Sequence, residues 1–226
     1  MSELLLECVE VETGSQPRAS VIWLHGLGAD GHDFEPIVPQ LGLPGDLPVR
    51  FVFPHAPVRP VTLNGGYPMR AWFDIASLDR NAAQDAEGIA ASCRQVEALL
   101  AREVERGVAA GHIVLAGFSQ GGAIALAMGL RYPERLAGVM GLSTFIPEGS
   151  RILAEKSAAN QHVPIFLAHG SLDPVVAPAL GDATREMLQG AGYDVEWHSY
   201  PMPHAVCPDE IVDIGRWLVR VLGNAG

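Results

Sequence analysis

The run His112-Ile113-Val114-Leu115-Ala116-Gly117-Phe118-Ser119-Gln120-Gly121-Gly122-Ala123-Ile124-Ala125-Leu126 joins an apolar segment to a second one through a glycine-flanked serine. Its first part, His112–Ala116, has the composition of a short buried strand. From Gln120 to Leu130 the residues are small and apolar almost all round, which suits a helix buried against a sheet. Between them stands Gly117-Phe118-Ser119-Gln120-Gly121, a GxSxG pentapeptide. At a strand-to-helix reversal such a serine takes a strained backbone conformation, and glycines two residues to either side let neighbouring chains approach closely. Ser119 would then present its hydroxyl at the carboxyl end of the sheet, beside the free N–H groups and positive dipole end of the helix. GxSxG alone occurs by chance; its place between strand and helix gives it weight. No Gly-Lys-Ser/Thr follows, which excludes a P-loop.

Further apolar runs rich in β-branched residues read as buried strands: Val21–Leu24, Val49–Phe53, Leu136–Leu142 and Val163–Ala168, with Tyr193–Tyr200 more alternating. A weaker one near Leu4–Val11 is expected to pair antiparallel at an edge. Helical period runs from Ala83 to Glu105, where Ile89, Val96, Leu99, Leu100 and Val104 share a stripe, and again over Ala179–Leu188 and Pro208–Leu222. Strands alternating with helices imply the α/β class, a mainly parallel sheet with helices on both faces. Continuous strand hydrophobicity agrees, because both faces are covered. No repeat or convincing linker interrupts the chain, and Leu41–Pro48 is short enough to be a surface connection. Residues 1–226 are therefore expected to form one domain.

Composition narrows the function. The net charge of −11 disfavours nucleic acid, which is bound through Lys and Arg on phosphates, and anionic lipid surfaces for the same reason. Cys8, Cys93 and Cys207 are odd in number and show no metal or redox spacing, so free thiols in a reducing cytoplasm are expected. The start, Met1-Ser2-Glu3-Leu4-Leu5-Leu6-Glu7, lacks the basic residues and apolar length of a signal peptide. No apolar stretch approaches bilayer length, so stable membrane insertion is not expected.

A serine hydroxyl is a poor nucleophile at neutral pH and needs a base, which a carboxylate must orient. At reversals of this kind the partners follow in the order serine, Asp or Glu, then histidine, on loops after successive strands. Asp173 lies in His169-Gly170-Ser171-Leu172-Asp173-Pro174-Val175-Val176, a turn-rich segment after a strand, whereas Asp194 opens a strand and Asp182 falls in a helix. His204, in Pro201-Met202-Pro203-His204-Ala205-Val206, is the one histidine after Asp173 in a post-strand loop. His198 sits inside a strand pattern, His112 at a strand start and His55 in a proline-rich turn. Attack on a carbonyl creates a negative oxygen that needs donors. Two backbone N–H groups are candidates: Gln120, directly after the nucleophile, and Leu27 in His25-Gly26-Leu27-Gly28 after an early strand. His25, Asp30, His32 and Asp33 match no standard metal spacing and are expected to be solvated loop residues; no metal is expected. Pro54 to Asp74 shows neither helical nor strand period, and its aromatics Tyr67, Trp72 and Phe73 suggest a substrate loop rather than a flap that only covers the sheet.

With these pieces in place the chain resembles the carboxylesterase/acyl-protein thioesterase family, also called phospholipase/carboxylesterases. The matching segments are Val21–Asp30, Phe53-Pro54-His55-Ala56-Pro57, Ala71-Trp72-Phe73-Asp74-Ile75, Gly117–Gly122, Leu142-Ser143-Thr144, His169–Val176 and the loop at His204. The resemblance implies the α/β-hydrolase fold without a large lid domain and with no cofactor. It makes Ser119 the nucleophile, Asp173 and His204 its partners, Leu27 and Gln120 the oxyanion donors, and Leu63, Trp72 and Val176 the acyl-groove lining. It also implies self-association, since family members are often homodimers. Two departures stand out: many members carry Met-Gly-His-Ser at the base, and here Met202-Pro203-His204-Ala205 puts proline for the glycine and alanine, which lacks the hydroxyl, for the serine. Proline stiffens that approach and removes a donor, but no triad member is lost. The expected activity is hydrolysis of short- to medium-chain carboxylic esters through an acyl-enzyme. A thioesterase or lysophospholipase acting on longer chains is the alternative. A non-catalytic acyl-binding scaffold would be expected to have lost part of this constellation, and none is missing.

Overall fold

The computed structural model describes residues 5–77 and 84–223; Leu4 and Ala83, the expected starts of the first strand and the longest helix, lie outside the described residues. Along the chain come β1 (Cys8–Glu12), β2 (Ala19–Leu24), β3 (Val49–Pro54), β4 (Val58–Val61), β5 (Tyr67–Arg70), α1 (Ala86–Glu105) and β6 (Ile113–Phe118). They are followed by α2 (Gln120–Gly129), β7 (Gly138–Leu142), α3 (Gly149–Ala154), β8 (Ile165–Gly170), α4 (Pro178–Gly190), β9 (Val195–Tyr200) and α5 (Pro208–Gly223). Seven strands form one sheet in the order β1-β3-β2-β6-β7-β8-β9, all parallel except β1, which pairs antiparallel with β3 at the edge. This is the α/β-hydrolase fold. No helix among the described residues is long and apolar enough to cross a membrane.

Both faces of the central strands are buried, and the two-residue period of the pleat divides their side chains. Ile22, Leu24, Leu115 and Leu167 pack into the core cluster that holds the apolar stripes of α1 and α2. Val21, Trp23, Val114 and Phe166 pack into the other, with Ile214, Trp217 and Leu218 of α5. Each such side chain contributes about 1.5–3 kcal/mol of transfer free energy, so the sheet is held from both sides and its carboxyl edge forms a rigid shelf.

Strand starts differ from the expected ones for local reasons. The Leu136 N–H is taken by Asn160 Oδ1, so the ladder of β7 begins two residues later. Pro164 has no N–H to give, and β8 begins at Ile165. Pro54–Asp74 is not free of strand: β4 and β5 form an antiparallel hairpin that also holds a single turn of 3-10 helix, Thr62–Asn64. Val58 and Tyr67 are exposed on it and of the two strands only Val61 is buried, too little to impose an alternating pattern. The short α3 has no counterpart in the sequence reading.

The reversal at Ser119 depends on close backbone contact. A Cβ on Gly121 would lie 2.4 Å from the Leu24 carbonyl oxygen and 2.5 Å from that of His25; one on Gly117 would lie 2.4 Å from the Gly121 carbonyl carbon. Backbone atoms in the sheet cannot step aside as a flexible side chain can. Gly121→Ala is therefore expected to cost about 3 kcal/mol or more, read as a fall in the denaturation midpoint in urea. A midpoint unchanged from the wild type would contradict this packing.

Candidate active site

Ser119 caps the amino end of α2 with φ 52° and ψ −119°, a conformation L-residues rarely adopt. Three bonds hold it there. Its N–H donates to the Leu142 carbonyl at 2.8 Å, while its carbonyl accepts from the Ala123 N–H at 3.1 Å and Thr144 Oγ at 2.6 Å. Strain of this kind persists only where the surroundings over-determine it. Neighbouring strands β6 and β7 supply that constraint.

Asp173 and His204 stand on loops after β8 and β9, which are adjacent in the sheet. Backbone bonds continue that pairing beyond the strands: Ser171 N–H donates to Tyr200 O at 2.8 Å and Leu172 N–H to Met202 O at 3.1 Å. A Cβ on Gly170 would come within 2.3 Å of Met202 O, so glycine there is what lets the two loops touch. The Asp173 side chain is fully buried. Its Oδ1 accepts the Val175 and Val176 N–H groups at 2.8 and 2.9 Å. Its Oδ2 accepts from His204 Nδ1 at 2.6 Å, at the short end even for a charge-assisted bond. With the proton on Nδ1, the Nε2 lone pair of His204 is left for the cavity. The imidazole packs against the Phe118 ring, centroids 4.7 Å apart, next to Ser119 in the chain. Ser119 and His204 line one cavity.

His169, to which sequence reading gave no role, is buried behind this pair. Its Nε2 lies 2.9 Å from the Val176 carbonyl and 3.4 Å from Asp173 Oδ2. A carbonyl only accepts, so Nε2 carries the proton and donates. The signal available in sequence was a polar residue closing an otherwise apolar strand, which by itself does not say where the side chain points.

The cavity encloses about 720 Å³, within the range usual for small-molecule sites. Leu27, Gln120, Leu63 and Val176 line it with Ser119 and His204, and Ile75, Phe145, Leu180 and Met187 extend its apolar wall. Gln120 opens α2, so its N–H has no carbonyl one turn back. Leu27 N–H enters none of the backbone bonds of turns and loops among the described residues. A second cavity, of about 470 Å³, is lined by Arg135, Asp194, Trp217 and Arg220 and shares no residue with the first.

Two expectations require correction. Trp72 does not line the cavity: it is fully buried beneath it, among α1 and α2 side chains, because its indole N–H and backbone N–H are both engaged inward. His25 is not a solvated loop residue. It is buried, and burial pushes its pKa down to about 4. Its Nδ1–H donates to Gly26 O at 2.7 Å and its Nε2 accepts the Ala56 N–H at 3.0 Å, a pair of bonds that needs the neutral ring. His32 and Asp33 stay exposed and Asp30 is half-buried, with the His32 N–H on Asp30 Oδ1.

The sequence profile of the phospholipase/carboxylesterase family matches residues 6–222. Acyl-protein thioesterase 1 of Mycosarcoma maydis is 39% identical, with 98% of this chain and 99% of that protein aligned. Acyl-protein thioesterase 1 of Yarrowia lipolytica is also 39% identical, over 93% of this chain and 95% of that one. Among solved structures, Zea mays acyl-protein thioesterase 2 superposes with a TM-score of 0.86 at 31% identity, covering 96% of this chain and 99% of its own.

Proposed function

Because this chain belongs to the phospholipase/carboxylesterase family and is therefore a serine hydrolase of acyl esters or thioesters, we propose that it acts on long-chain acyl groups, as an acyl-protein thioesterase. Ser119 attacks the acyl carbonyl while His204 Nε2 takes its proton, and Asp173 Oδ2 steadies the imidazolium that results. The oxyanion rests on the N–H groups of Leu27 and Gln120. Collapse breaks the bond to the leaving sulfur or oxygen, which receives the proton from His204. Water, activated by the same imidazole, then releases the fatty acid.

The observation that carries this reading is the apolar lining that the cavity holding Ser119 draws from Leu63, Ile75, Phe145, Val176, Leu180 and Met187. The names of the relatives point the same way. Both favour long-chain thioesters over the short- to medium-chain ester activity expected from sequence. Each methylene buried against such a wall contributes about 0.8 kcal/mol. Even a few in contact raise kcat/KM about a hundredfold. Palmitoyl thioesters of cysteine peptides are therefore expected to exceed the butyryl thioesters by that factor. Equal or higher kcat/KM for butyryl substrates would return the assignment to a short-chain esterase.

A further inference from the structure

We propose that Trp72 and the Gln120 side chain are positioning residues that brace the two arms of the oxyanion hole against each other, an inference that rests on the reading of Leu27 and Gln120 as its donors. The arms belong to segments far apart in the chain, the loop after β2 and the start of α2, and neither Leu27 nor Gln120 N–H sets the distance between them. Trp72 stands between the two. Its indole Nε1–H donates to the His25 carbonyl at 2.9 Å, which holds the first arm. Its backbone N–H donates to Gln120 Oε1 at 2.8 Å, and Gln120 Nε2 donates to the Phe73 carbonyl at 2.7 Å, which holds the second. The orientation of the Gln120 amide follows from these partners, since an N–H requires the oxygen and a carbonyl requires the NH₂. The Trp72 carbonyl in turn accepts from Ser92 Oγ of α1.

The first arm is rigid in itself. His25 packs its ring 5.4 Å from that of Trp72, and its two ring nitrogens tie Gly26 O to Ala56 N–H. The whole set is buried, where water cannot substitute for a missing partner. Oxyanion donors act only within about 2.7–3.1 Å of the developing charge, and a misplacement of about 1 Å can cost on the order of a hundredfold in rate. Trp72 touches neither substrate nor cavity, so its contribution is to the spacing of donors.

Trp72→Phe keeps an aromatic ring and removes the indole N–H; Gln120→Met keeps volume and the backbone N–H and removes the clamp. Each is expected to lower kcat about ten- to a hundredfold with KM within about twofold. A trifluoromethyl ketone, whose hemiketal oxygen occupies the same hole, should lose affinity by the factor lost in kcat/KM. A purely structural tryptophan would lower the melting temperature and leave both quantities alone. Folded variants with kcat within twofold of wild type overturn the brace, as does a loss of kcat without loss of inhibitor affinity. If one variant does not fold, the other decides. If neither folds, these bonds serve the fold rather than the hole, and the inference falls. Ser119→Ala run beside them separates the two ideas. Turnover retained there defeats the catalytic reading, while its loss beside normal Trp72→Phe and Gln120→Met defeats only the brace.

Discussion

Ser119→Ala is expected to reduce turnover of p-nitrophenyl esters and acyl thioesters on the order of 10⁶-fold, with no labelling by a fluorophosphonate probe. The size follows from the division of labour in the site. Without the hydroxyl no acyl-enzyme forms, and what remains is whatever rate the oxyanion donors and binding give to water. Stability should hardly move, within about 0.5 kcal/mol. The bonds that fix residue 119 run through its backbone, to Leu142, Ala123 and Thr144, and alanine keeps them all. An inactive enzyme with an unchanged melting temperature is therefore the signature. Turnover near the wild-type rate would mean that another residue is the nucleophile.

Asp173→Asn is expected to lower kcat about 10⁴-fold at neutral pH, and the structure supplies the reason for so large an effect from one atom. Oδ1 accepts two backbone N–H groups, Val175 and Val176, so the amide oxygen of asparagine is obliged to stay there. Its NH₂ must then face His204 Nδ1, where Oδ2 now accepts at 2.6 Å. A donor in that place draws the lone pair of the imidazole to Nδ1 and leaves the proton on Nε2. The base is then protonated at the atom that should receive the Ser119 proton. Because the fault is tautomeric, KM should stay within a few-fold and the rate should recover partly at high pH, where hydroxide can assist. A kcat within tenfold of wild type at pH 7 would remove Asp173 from the mechanism.

The two substitutions also separate what was legible in the sequence from what was not. GxSxG could be read because its glycines answer a local demand: Gly117 and Gly121 sit where a Cβ would strike backbone. Asp173 and His204 could be named because each lies in a turn-rich loop directly after a strand, and strand order along the chain reflects the topology of a parallel sheet. Trp72 was misplaced for the opposite reason. A large aromatic in a proline-rich segment looks the same whether it faces a ligand or the core, and only the acceptors it finds, His25 O and Gln120 Oε1, decide. His25 was misread on the same ground, since a histidine after a strand carries no mark of its burial.

Local chemistry thus determined the α/β class and the strained turn at Ser119, and marked Asp173 and His204 as candidate partners; hydrophobic period and glycine sterics act over a few residues and are written in adjacent letters. Distance in the fold decided the rest. That Asp173 Oδ2 meets His204 and that Trp72 spans two loops depend on partners tens of residues away. A hydrogen bond is set by where both ends come to lie, and for these groups that place exists only once β2, β6, β8 and β9 have assembled into one sheet.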